Sequence, residues 1–276
     1  MLTNGNDTRM ETAAICAIAL KESLYIEEWI AYHLKLGFDQ ICIYDNDPAF
    51  PLQYLPQTYP QVIVVHLPGQ CQQMTAYYYF LQMFRTTHKW GAFLDIDEFV
   101  VLRKHGNIKD FLKEHCSSGA VTLNWYLFGS NHHETYTSNP VLERFTKRQN
   151  KINEHVKTIT CLQDTKYMET PHYAILHNGT PHDTNGNPVT GPYNPNGTDD
   201  VACIHHYFVK SRQEFYLKCL RGRADIPQYR NYEKEFKEND WNEVEDLRAW
   251  HFFQKIPYQI GKNDILETSL YNNQTK

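Results

Sequence analysis

The chain has 276 residues with 27 Lys+Arg against 32 Asp+Glu, a net charge of −5 that argues against a dedicated nucleic-acid binder, whose domain is usually basic. Its 41% hydrophobic and 21% charged residues sit near globular averages, which excludes wholesale disorder and allows a sizeable core. The longest apolar run, Ala13 to Leu20, covers eight residues, far short of the roughly 20 that cross a bilayer, so no membrane span is expected.

Met1 to Thr12 is polar and lacks the basic-then-apolar order of a secretory signal, so it reads as a loose tail ahead of one domain over 13–276, in the cytoplasm. Seven cysteines without a Cys-x-x-Cys pair fit a reducing compartment, and Cys16, Cys42 and Cys203 read as buried filler. The first hundred or so residues alternate apolar runs with amphipathic stretches, the βαβα signature of an α/β sheet with helices on its faces. Strands are predicted at Ala14 to Ala19, Gln40 to Tyr44, Val62 to His66 and Ala92 to Ile96. Helices are predicted from Leu24 to Leu34, with Gly37 as the stop, and from Gln72 to Thr87. Beyond Asn107 the alternation is less regular, with strands at Ala120 to Phe128, Val156 to Leu162 and Val201 to Phe208. Asn178 to Asp200, rich in Gly, Pro, Asn, Asp and Thr, reads as a long loop that could serve as a mobile lid. Ser211-Arg212-Gln213-Glu214 is a capping box that opens a helix, and a last helix is expected around Trp241 to Phe253.

The strongest local signal is Phe93-Leu94-Asp95-Ile96-Asp97-Glu98-Phe99, an apolar strand running into three carboxylates. Hard divalent cations such as Mn²⁺ or Mg²⁺ take oxygen ligands, and carboxylates crowded between apolar segments repel one another without a cation. The bland alternative is a solvated acidic turn. Ile204-His205-His206-Tyr207 ends a later β-rich run; on a strand the two imidazoles point to opposite faces, so at most one reaches the same ion. Lys210 and Ser211 stand at the start of the capped helix, where free N–H groups and the helix dipole favour a diphosphate. Ser211 equally serves the cap, Lys210 equally a surface charge, and Arg221 and Arg223 complement the dipole at the far end. Trp125, Phe128, Gly129 and His133 combine aromatic and polar groups at a strand end and are candidate acceptor contacts, the alternative being a buried aromatic strand. His172, His177 and His182 read as loop histidines. Walker, Gly-x-Gly-x-x-Gly, Gly-x-Ser-x-Gly and His-Glu-x-x-His signatures are all lacking.

Five segments together resemble glycosyltransferase family 92 and its relatives with the GT-A fold. They are Ala17 to Glu22 with Glu28-Trp29 and His33; Tyr44 to Asp47; Phe93 to Phe99; Trp125 to Ser130 with Glu143-Arg144-Phe145; and His206 to Ser211 with Glu214-Phe215. The resemblance implies an α/β GT-A domain, with a Rossmann-like nucleotide-binding half over 13–105 and an acceptor half with C-terminal helices over 106–276. It implies that Ala17, Lys21, Glu22, Asp45, Gln73, Tyr77, Asp95, Ile96, Lys210 and Ser211 hold a UDP-sugar, although Leu20-Lys21-Glu22 stands where the family often has Lys-Asn-Glu. It further implies that Asp95, Asp97 and His206 hold Mn²⁺ or Mg²⁺. Likeness to copies carried by large algal viruses suggests xylose transfer from UDP-xylose to fucose of a capsid-protein glycan, in the host cytoplasm. An inverting transfer needs a carboxylate base, for which Glu143, Asp183 and Asp225 are the candidates, with a structural pairing of Glu143 and Arg144 or Lys147 as the alternative. Two other readings stay open: a metal-dependent phosphoesterase using Asp95, Asp97 and His206, and a non-catalytic glycan-binding module.

Overall fold

The structure, a computed structural model, describes residues 11–255, so the expected tail falls almost wholly outside the described residues, as does the chain past residue 255. β1 (Ala13–Ala19) is buried throughout and alternates as a central strand must: Ala13, Ile15, Ala17 and Ala19 join one hydrophobic cluster, Ala14, Cys16 and Ile18 another on the opposite face. Gly37, left-handed at φ 105°, ends α1 (Ile26–Leu36) and donates its N–H to the last-turn carbonyls. Next come β2 (Gln40–Asp45), the single turn α2 (Leu55–Thr58), β3 (Val62–His66), α3 (Gln73–Phe84) and β4 (Trp90–Phe93). These strands lie parallel in the order β3-β2-β1-β4.

The second half contributes β5 (Glu98–Leu102), α4 (Ile108–His115), β6 (Ala120–Leu127), α5 (Val141–Arg144), β7 (Lys147–Arg148) and β8 (Val156–Cys161). The hairpin of β9 (Thr165–Met168) and β10 (Ala174–Leu176) follows, then β11 (Ala202–His206), α6 (Arg212–Arg221), α7 (Tyr232–Asn239), β12 (Val244–Glu245) and α8 (Arg248–Phe253). One eight-stranded mixed sheet runs β3-β2-β1-β4-β8-β6-β11-β5. β8 is antiparallel to both β4 and β6, β11 is parallel to β6, and β5 closes the edge antiparallel to β11. The C-terminal ends of β1, β4, β6 and β11 therefore share one edge with the N-terminal ends of β8 and β5. Open α/β sheets bind ligands at that edge. α3 and the hairpin cover one face through Tyr77, Phe80 and Met168, while α1, α4, α5 and α8 cover the other through Trp29, Phe111, Leu142 and Phe253. The α/β class is as expected, and Cys16, Cys42 and Cys203 are buried thiols.

Three expectations are corrected. The strand predicted to reach Ile96 stops at Phe93, because the Asp95 N–H donates to the Glu98 carboxylate and the Glu98 N–H to the Asp95 carbonyl, making 95–98 a turn. The helix expected from Trp241 is an irregular segment carrying β12, with α8 beginning only at Arg248. The 178–200 loop is no lid over the site described below: it is bonded along the half of β6 that β11 leaves open, through Thr122 N–H to the His182 carbonyl and Asn124 Nδ2 to the Asn194 carbonyl.

Candidate active site

A cavity of about 330 Å³ opens at the shared strand edge, within the usual range for small-ligand sites. Ile18 at the end of β1 forms part of its wall, with the Asp95–Asp97 turn, Trp125 and Leu127 of β6, His206 of β11, and Lys218 and Arg221 of α6. The segment after α6 closes it with Arg223, Asp225 and Arg230, anchored to α3 by a hydrogen bond from the Gln73 N–H to the Ala224 carbonyl.

The acidic groups and the cations interlock. Lys218 Nζ lies 2.6 Å from Asp97 Oδ2, and His206 Nε2 lies 3.4 Å from Asp97 Oδ1. Burial pushes the Asp97 carboxyl up, but Lys218 and His206 outweigh it and hold the group well below the ordinary carboxylate range. Burial brings Lys218 down to about 8 despite that partner. Asp95 accepts from Gln73 Nε2 at 2.9 Å and from the wholly buried Lys157 Nζ at 2.9 Å; burial disfavours the Lys157 charge, but Asp95 and Glu98 raise it well above the ordinary lysine range. Arg221 pairs with Glu22 and donates to the Leu20 carbonyl at 2.7 Å. Arg223 pairs with Asp225 at 3.1 Å; burial raises the Asp225 carboxyl, and Arg223 more than reverses it.

Aromatic groups line the opposite wall. Trp125 stacks on His155 with centroids 4.9 Å apart and planes 12° apart, and meets His206 and His172 edge-on at 4.4 and 5.1 Å. Trp125 Nε1 and His206 Nδ1 are buried without a hydrogen-bond partner. An acidic oxygen beside an imidazole nitrogen is a fitting donor pair for Mn²⁺ or Mg²⁺, so Asp97 Oδ1 and His206 Nε2 suit the implied ion, with Lys218 as its competitor for Asp97. Asp95 stands apart from the pair: among the described residues the one His/Cys/Asp/Glu trio whose ligating atoms all lie within 4.8 Å is His105, Glu114 and His115.

The remaining sequence candidates divide between cavity and scaffold. Glu22, Gln73, Asp95, Ile96, Trp125 and Asp225 line the cavity. Ala17 faces the α1 side because strand side chains alternate, which leaves Ile18 as the lining residue. Lys21 is exposed outside the cavity, and Tyr77 is buried behind Gln73, accepting from its Nε2 at 3.0 Å. Asp45 holds the N–H groups of Asp47 and Leu52. Lys210 is buried over the Tyr25 ring at 4.4 Å, and the Ser211 hydroxyl is taken by Glu214 in the capping box, so neither reaches the cavity. Phe128 is core. Gly129 is held by the close passage of Trp241, and His133 packs edge-on to Phe145. Glu143 is exposed on α5, and Asp183 accepts the N–H groups of Asn185 and Asn187, so both lie off the cavity; Arg144 pairs with Glu214, not with Glu143. His205 faces Asp246 at 3.5 Å, away from His206. Residues that sequence reasoning missed are Lys157, Lys218, His155 and Arg230, along with the cavity roles of His172, Arg221 and Arg223.

The sequence signature of glycosyltransferase family 92 is matched by residues 13–249, which include every wall of this cavity. The chain belongs to that family. A glycosyltransferase family 92 protein of Ricinus communis is 26% identical over 109 residues, covering 38% of this chain and 20% of the relative. Another, of Oryza sativa subsp. japonica, is 22% identical over 111 residues, covering 39% of this chain and 19% of the relative. These matches thus span about a fifth of the length of either family 92 relative. Among solved structures, the crystal structure of a 4-diphosphocytidyl-2C-methyl-D-erythritol synthase overlays with a TM-score of 0.31 at 11% identity, over 56% of this chain and 77% of its own. No helix among the described residues is long and apolar enough to cross a membrane.

Proposed function

We propose that this family 92 chain transfers a sugar from a UDP-sugar to a glycan hydroxyl with inversion. The observation that carries the reading is the gathering, in one cavity, of the Asp97–His206 pair and the cations Lys218, Arg221, Arg223 and Arg230. Breaking a sugar–phosphate bond leaves charge on the departing diphosphate, and preorganised cations in a partly dry site offset it. A divalent ion, Mn²⁺ or Mg²⁺, held by Asp97 and His206 would supply further Lewis-acid neutralisation. The acceptor oxygen attacks the anomeric carbon, the bond to the diphosphate breaks, UDP departs, and the hydroxyl proton passes to a carboxylate. Asp225 is the candidate base that lines the cavity. Trp125, with His155 and His172, offers the sugar an aromatic wall. The choice of UDP-xylose as donor, of fucose on a viral capsid-protein glycan as acceptor, and of a cytoplasmic setting rests on the sequence resemblance.

The test is thermal melting with a panel of UDP-sugars, each with and without Mn²⁺, on wild type and Asp97→Ala, followed by transfer assays with fucosylated acceptors. A shift selective for one UDP-sugar, enhanced by Mn²⁺ and lost in the variant, is expected, because a ligand that binds only the native state raises its stability. Absence of any nucleotide-dependent shift at saturating ligand would sink the proposal and favour a glycan-binding module. Hydrolysis of generic phosphodiesters without sugar transfer would favour the phosphoesterase.

A further inference from the structure

Away from the cavity, the C-terminal end of α4 gathers His105, Glu114 and His115, none of which lines the cavity. The buried Phe111 ring seats both histidines: His115 stacks on it at 5.0 Å, and His105 meets it edge-on at 5.6 Å. The two imidazoles stand 5.4 Å apart at 89° to one another, each mostly covered, while the Glu114 side chain is 66% exposed. His105 Nε2 is 2.9 Å from Glu114 Oε2, and His115 Nε2 is 3.4 Å from Glu114 Oε1, so both ring nitrogens converge on one carboxylate.

The His115 contact is anomalous as a hydrogen bond. Its Nε2 is buried without a hydrogen-bond partner. A neutral imidazole that donates through its other nitrogen presents a lone pair at Nε2, here aimed at a carboxylate oxygen that also carries lone pairs. Two lone pairs face each other favourably only with a proton or a metal ion between them. We propose that His105, Glu114 and His115 form a Zn²⁺-class site: two imidazoles and one carboxylate as ligands, and an open position for water on the exposed Glu114 side.

The site is tested on the full chain, stripped with a chelator, by Zn²⁺ titration in competition with a chromophoric chelator and by melting with and without Zn²⁺. Variants are His105→Ala, Glu114→Gln, His206→Ala in the cavity and the exposed His251→Ala. Expected are one tightly bound Zn²⁺ per chain, a raised Tm, at least about tenfold weaker binding in His105→Ala and Glu114→Gln, and unchanged binding in His206→Ala and His251→Ala. Glu114→Gln alters an exposed side chain and keeps the test valid should His105→Ala fold poorly. No stoichiometric zinc in wild type, equal binding by Glu114→Gln, or loss of the tight site in His206→Ala would each overturn the assignment, the first by leaving protonated His115 as the partner of Glu114 and the last by placing the ion in the cavity.

Discussion

His33 on α1 has both ring nitrogens committed within the core: Nδ1 lies 2.9 Å from the Trp29 carbonyl, and Nε2 receives the Val100 N–H at 3.4 Å. Those partners require one neutral tautomer, since a carbonyl only accepts and an N–H only donates. Burial brings His33 down to about 3, and burial does the same to His205 despite its Asp246 neighbour. The unfolded chain takes up these protons near its ordinary value of about 6.5, whereas the folded chain resists to about 3. Their stabilisation is therefore complete above pH 6.5 and is lost as the pH falls towards 3. Each contributes a slope of roughly 1.4 kcal/mol per pH unit in that window. Buried Glu28, pushed up to about 7, takes its proton in the same window and opposes them, so the test is the difference between chains: in urea midpoints at pH 7.5 and 5.5, His33→Gln, weaker at pH 7.5, should lose less than wild type on acidification, and an unchanged slope in the variant would show that His33 is not the titrating group.

Where β6 ends, the chain passes close against the segment ahead of β12. A Cβ built on Gly129 would stand 2.3 Å from the Trp241 carbonyl oxygen, and backbone cannot yield as a side-chain tip can. Asp240 and Asn242 hold the same junction by accepting the N–H groups of Ser130 and Asn131. Gly129→Ala should cost about 1–3 kcal/mol in chemical denaturation and leave UDP-sugar affinity intact. Wild-type stability with a changed acceptor KM would return Gly129 to the acceptor role that its motif suggested. This residue shows how far the sequence could be read. β1 to β4 were legible as apolar runs, with α1 marked by helical spacing between the first two, although β4 stops at Phe93, short of the run's end at Ile96. β5 was not, since only the Asp95–Asp97 turn separates it from β4 and no Gly or Pro marks the reversal. Asp97 and His206 were legible as polar groups at strand ends. Lys157 and Lys218 were not, since one lysine in a strand or helix looks like any surface charge; the one signal was Lys157 standing within Val156 to Ile159, a strand buried on both faces. Several residues of the matched segments turn out to hold the scaffold: Glu28 accepts the Val141 and Leu142 N–H groups at the start of α5, and Arg144 grips the Glu214 carboxylate that caps α6.

At the scale of the whole molecule, a chain of net charge −5 is proposed to bind a dianionic diphosphate, and the two facts pull in opposite directions. Distance decides between them. Charges in contact at about 4 Å interact by roughly 4 kcal/mol at an effective dielectric constant of 20, whereas charges beyond the Debye length of about 10 Å at 0.1 M salt are largely screened. Lys218, Arg221, Arg223 and Arg230 on the cavity wall therefore outweigh the acidic remainder, and the carboxylates of Asp97, Glu22, Asp225 and Glu235 act as their counter-ions until a diphosphate displaces them. Raising ionic strength should then weaken UDP-sugar binding several-fold instead of relieving a general repulsion. Arg223→Ala should weaken binding at low salt and flatten that dependence, because it removes one of the contact cations and frees the Asp225 carboxylate beside the ligand. Titration calorimetry of wild type and Arg223→Ala with UDP at two salt concentrations reads both effects. Affinity that rises with salt in wild type would mean that net charge governs the encounter and that the cavity cations stay locked to their carboxylates.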